Sequence, residues 1–176
     1  YQDEWGIQWQ RPEESNSYFL LKGHFEGDEN GTLEALRRFQ WPDPKDPGRF
    51  RGLRERARKL HEETDYSVVF SPRATFWQEA ARIRGFGDFF SDLVMNKKFV
   101  HALLDRILEI RLEITERMMA ETRGFIDVVL MGDDLGTQSG PMISMQMFEE
   151  FVKPRLKIYF ESMKKADPGA KILFHC

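Results

Sequence analysis

Two short stretches hold residue types from which a reaction could be built. The first is Met131-Gly132-Asp133-Asp134-Leu135-Gly136-Thr137-Gln138-Ser139-Gly140, in which two adjacent carboxylates follow an apolar run and lead into a glycine-rich polar loop. Carboxylates at the end of a buried strand can exchange protons, hold a cation or accept hydrogen bonds from a substrate. The same residue types also serve as turn and capping acids, so position alone leaves both roles open. The second stretch is His175-Cys176, after another apolar run. Imidazole and thiolate both bind zinc, but zinc takes roughly three or four protein ligands, and neighbouring residues on an extended strand point to opposite faces. A buried cysteine beside a hydrogen-bonded histidine is the structural alternative. His24, His61 and His101 stand singly, and Met118, Met119, Met142, Met145 and Met147 read as gap fillers rather than metal ligands.

Both stretches need elements that carry them to a common edge. Tyr66 to Phe70 and Phe125 to Met131 are short apolar runs that suit buried strands, and Lys171 to His175 is a third strand. Thr32 caps a brief helix over 33–39. Asp46 and Pro47 start a helix with Phe50, Leu53, Ala57 and Leu60 on one stripe, and its arginines, Arg49 to Arg58, read as a solvated face. Ser71-Pro72 is expected to open a helix ending at Gly85, followed by a phenylalanine-rich turn to Met95. Asn96 is expected to cap the longest helix, whose stripe runs from Val100 to Met118 before Gly124 ends it. Ser144 caps a further helix that Pro154 should interrupt, and Asp167-Pro168-Gly169 is a turn.

Strand, helix, strand, helix, strand without short hairpins between the strands is an α/β pattern with parallel pairing. Residues 1–45 form a lead-in with at most one short strand at Tyr18 to Leu21, and 46–176 hold the βα units of a single domain. No glycine-rich phosphate loop follows a strand, which disfavours a nucleotide-binding sheet. A (β/α)8 barrel takes about 250 residues, so a chain of 176 would hold part of one. In such folds the C-terminal strand ends gather the ligand and catalytic groups, which is where both stretches fall.

Composition narrows the partners. The 26 basic side chains are outnumbered by 29 acidic ones and form no basic block, against a nucleic-acid partner. No apolar run reaches the roughly 18 residues of a membrane span, so a cytoplasmic protein acting on a small-molecule substrate is expected. One cysteine excludes an intrachain disulfide framework. The chain opens on Tyr1 and closes on Lys171 to Cys176, which reads as a fragment. Nothing in it points to an oligomeric state.

Several segments together resemble the uroporphyrinogen decarboxylase superfamily: Gly132 to Gln138, Ile143-Ser144 leading to Met147-Phe148, Lys153-Pro154-Arg155, and Lys171 to His175. Asp3-Glu4-Trp5-Gly6, Trp41-Pro42-Asp43-Pro44 and Arg84-Gly85-Phe86 with Asp92-Leu93 extend the likeness. It is greatest with the branch of corrinoid-dependent methyltransferases and decarboxylase-like proteins. The resemblance implies a (β/α)8 barrel and methyl transfer between a methylated corrinoid (methylcobalamin), or another methyl donor, and an acceptor thiol, with a corrinoid protein as partner. That branch holds zinc through a His-x-Cys motif and a distant Cys. His175 matches the histidine, Cys176 takes the middle position, and the motif's cysteine would come next. The resemblance also implies that Asp133 or Asp134 faces the active site, with Gly136 and Gln138 as substrate contacts. The decarboxylase alternative needs no metal or cofactor and would use Asp133, Asp134 and Arg73, the last as a cationic clamp. A catalytically silent binding module is the third reading. The arginine-rich N-terminal segment of true uroporphyrinogen decarboxylases is absent, and their Gly-Phe, Pro-aromatic-Thr pattern reads Val69 to Thr75 in this chain.

Overall fold

The computed structural model describes the backbone of residues 1–176 and every side chain except those of Arg73 and Ala74. In chain order the elements are β1 (Gln8–Gln10), β2 (Phe19–Lys22), α1 (Leu33–Arg38), α2 (Leu53–Glu63), β3 (Val69–Ala74), α3 (Trp77–Arg84), α4 (Phe86–Met95), α5 (Lys97–Thr122), β4 (Val128–Gly132), β5 (Gly136–Thr137), β6 (Gly140–Pro141), α6 (Met145–Met147), α7 (Lys153–Ala166) and β7 (Lys171–His175). The chain divides into two compact units. The first is Tyr1–Pro42 with Trp77–Ile107, and the second is Asp43–Phe76 with Leu108–Cys176.

In the first unit the lead-in is more ordered than its sequence suggests. Asp3 Oδ1 accepts from the Trp5 and Ile7 amides, and Oδ2 accepts from Trp9 Nε1 at 2.7 Å. This tight turn delivers β1 to β2, which pair antiparallel with Trp9 opposite Leu20. Thr32 caps α1 as expected, its side chain accepting from the Ala35 amide. The phenylalanine-rich turn expected before Met95 is instead the helix α4. Phe89, Asp92 and Leu93 are its buried residues, an i, i+3, i+4 stripe that overrides the weak helix propensity of Phe and Gly. Arg84, buried at the end of α3, donates to Asp92 and to the Phe25 and Gly27 carbonyls. Asn96 closes α4 and donates from its side chain to the Gly31 carbonyl.

The second unit holds the parallel sheet, in the order β3-β4-β7. β4 and β7 pair without irregularity, from Val128 opposite Lys171 to Gly132 opposite His175. β3 departs from expectation at both ends. Tyr66 lies outside it, 83% exposed, and the strand continues through Ser71-Pro72 where a helix start was expected. The pairing explains this, because the register with β4 shifts between Phe70 and Arg73. Pro72, which has no N–H to donate, falls in that irregularity on one of the two edge strands of the three. The helix therefore begins only at Trp77.

Asp46 caps a short 3₁₀ turn, Pro47–Arg49, and α2 follows only after Gly52, which turns the chain at φ 68°. Ala57 is buried on α2, whereas Leu60 is 51% exposed and does not join the expected stripe. Arg58 pairs with Glu55 and Glu62 at the surface, as a solvated face should. Ser144 caps α6, and the interruption expected at Pro154 takes the form of a π turn over Phe148–Val152 just before α7. Phe151, Val152, Leu156, Tyr159 and Met163 are buried along this run. Asp167 ties the turn before β7, accepting from the Gly124 and Gly169 amides. Among the described residues no helix is long and apolar enough to cross a membrane.

Candidate functional site

The register of the three parallel strands brings their C-terminal ends side by side, with Gly132 opposite Ala74 on one flank and His175 on the other. Gly132 is required by close approach. A Cβ built on it would stand 2.7 Å from the His175 carbonyl oxygen and 3.1 Å from His175 Cβ. Glycine thus lets β4 and β7 stay paired to their last residues. The Asp133 amide then donates to the same His175 carbonyl at 3.1 Å, carrying the ladder one residue further.

The two adjacent acids have different surroundings. Asp133 is 1% exposed, and its Oδ2 accepts from the Phe76 amide at 3.3 Å, two residues beyond β3. Asp134 is exposed, and its Oδ1 lies 3.8 Å from His175 Nδ1, an ion pair whenever the imidazole is protonated. The sheet therefore joins the two stretches singled out in the sequence at one edge. Cys176 follows as an exposed free thiol.

Gly136 and Gln138 lie on the β5-β6 hairpin, a feature the sequence did not announce. Gly136 pairs with Pro141, and the Thr137 hydroxyl donates to the Gly140 carbonyl. Gln138 is exposed at the tip of this hairpin. The Arg73 side chain lies outside the described residues, while its backbone pairs with Met131.

The sequence did not single out the buried polar layer of this unit. Tyr159 of α7 and Thr115 of α5 share a hydrogen bond of 2.6 Å. Burial holds the Tyr159 phenol above its ordinary range; the Thr115 hydrogen bond and the Arg111 charge oppose this, and the negative charge of Asp133 adds to it. Thr75 is also fully buried, and its hydroxyl has no hydrogen-bond partner among the described residues. Tyr159 sat on an apolar stripe and read as core, so the only signal for it was its phenolic oxygen.

For zinc, the arrangement offers His175 and Asp134 within reach of one ion. Among the described residues no group of three or more His, Cys, Asp or Glu is placed to hold a metal. These side chains do not by themselves make a zinc site.

The profile of the uroporphyrinogen decarboxylase (URO-D) family matches residues 28–176. Among solved structures, the chain is similar to a methyltransferase from Methanosarcina mazei, with a TM-score of 0.59 and 16% identity, over 98% of this chain and 47% of that one. The chain thus spans about half the length of that methyltransferase, and at this identity the likeness is one of fold. No curated protein matches the chain in sequence.

Proposed function

Because the chain belongs to the uroporphyrinogen decarboxylase family, and β3, β4 and β7 are strands of that family's α/β barrel, we propose that the protein to which it belongs transfers a methyl group from a methylated corrinoid, or a comparable methyl donor, to an acceptor thiol. The observation that carries this reading is the meeting of Asp134 and His175 at 3.8 Å on the ends of neighbouring parallel strands. A methylated corrinoid supplies a methyl carbon open to attack by a thiolate. The chain's own residues have to bind the thiol, orient it and take its proton. An imidazole with a carboxylate beside it offers a proton acceptor and an oxygen to orient it. Gln138 and the Gly136 backbone, on the exposed hairpin that follows, are the proposed substrate contacts.

The test is to supply the full-length protein with methylcobalamin and a small thiol, follow methylation of the thiol, and run uroporphyrinogen in parallel. Thiol methylation without decarboxylation supports the proposal. Carbon dioxide release from uroporphyrinogen alone assigns the decarboxylase activity instead, and binding of either compound without turnover assigns a silent binding module.

A further inference from the structure

The two neighbouring acids do not share one task. Asp133 touches the ends of all three parallel strands. It follows β4 directly, its amide donates to the His175 carbonyl of β7 at 3.1 Å, and its carboxylate accepts from the Phe76 amide beyond β3 at 3.3 Å. At 1% exposure this carboxylate is sealed from solvent. Gly132 before it leaves no room for a side chain against His175. Asp134 after it is exposed and faces the imidazole.

We infer that Asp133 is a positioning residue, a clasp that joins the ends of β3, β4 and β7 so that His175 and Asp134 stand together, and that it does not itself meet the substrate. This rests on the reading of Asp134 and His175 as the reacting pair. A strand end held by one backbone hydrogen bond frays. A buried carboxylate that also holds the turn after β3 couples that turn to the β4-β7 edge, so loosening one loosens the other. Such a clasp matters to chemistry because reacting groups must be placed to a fraction of an ångström, and a displacement of about 1 Å costs on the order of a hundredfold in rate.

The test has a structural arm and a kinetic arm, both on the full-length protein. Asp133→Ala removes the acceptor of the Phe76 amide, and hydrogen exchange at that amide should quicken by about tenfold, the equivalent of one ordinary hydrogen bond. Asp133→Asn keeps an oxygen at the same place. It should restore most of the Phe76 protection and at least about tenfold of the turnover that the alanine variant loses. Gly132→Ala, which leaves Asp133 chemically intact, should reduce turnover by displacing His175 while thiol binding persists. Two outcomes overturn the inference. One is an Asp133→Asn variant as inactive as Asp134→Asn with Phe76 still protected, since Asp133 would then be a reacting acid. The other is an Asp133→Ala variant whose Phe76 exchange is unchanged. If the native protein shows no methyl transfer at all, the functional reading fails, and the exchange arm still decides whether Asp133 clasps the strands.

Discussion

Replacing Arg84 by Ala should cost the first unit about 4 kcal/mol, because a buried ion pair broken from one side leaves an uncompensated charge. The guanidinium is 3% exposed at the end of α3. Its Nε donates to Asp92 Oδ2 at 2.7 Å, its Nη1 donates to the Gly27 carbonyl at 2.7 Å and to the Phe25 carbonyl, and Asp88 Oδ2 stands 3.3 Å away. The group also lies over the Phe99 ring at 5.4 Å. Truncation strands the buried Asp92 carboxylate and frees two carbonyls, each of which adds to the cost unless water enters. For a chain of this length a loss of that size lowers Tm by about 12 °C. Urea unfolding followed by tryptophan fluorescence, together with a thermal scan, measures both quantities. The pair Arg84→Met with Asp92→Leu should recover about half of the loss, the part that comes from the stranded carboxylate, while the Phe25 and Gly27 carbonyls still lack their donor. A single variant that loses less than about 1 kcal/mol would refute the reasoning. So would a double variant as unstable as the single one.

Tyr159→Phe removes the 2.6 Å hydrogen bond and leaves the Thr115 hydroxyl buried, so stability should fall by about 1–2 kcal/mol, read from the urea midpoint. In the native protein the Tyr159 phenol ionises above its usual value, so the stability it contributes is complete below pH about 10 and is lost as the pH rises through the folded value. Ultraviolet titration should show that late phenol, and Tyr159→Phe should abolish it. The His24 ring packs against Phe25 and Phe39, and this partial desolvation shifts it downward, so the unfolded chain takes up its proton first as acid is added. Its contribution is present above pH about 6.5 and is lost as the pH falls through the folded value. A proton NMR titration should place its midpoint below 6.5, and a midpoint above that value contradicts the desolvation by the neighbouring rings.

How much of this was legible in the sequence depended on the range of the interactions involved. β4 and β7 could be read because Val128 to Met131 and Ile172 to Phe174 are short apolar cores of four and three residues, and the Thr32, Asp46 and Ser144 caps could be read because a cap is a local contact. α4 was missed because a cluster of phenylalanines with Gly87 signals burial but not period, and only its packing in the first unit makes it a helix. β3 was cut short because Pro72 usually ends a strand, and a register shift against β4 tolerates it only once the partner strand is known. At the site, both acids and the histidine stood out by residue type. That Asp134 meets His175 while Asp133 turns inward follows from the β4-β7 register and the close approach at Gly132, neither of which is written in local spacing.

The pairing of Asp134 with His175 as the reacting centre is tested most directly by methyl transfer from methylcobalamin to a small thiol, measured on the full-length protein beside its Asp134→Asn and His175→Gln variants. Each substitution should lower turnover by about a hundredfold while leaving the circular dichroism spectrum unchanged. Native rates in both variants, or decarboxylation of uroporphyrinogen with no methylation of the thiol, would contradict the account.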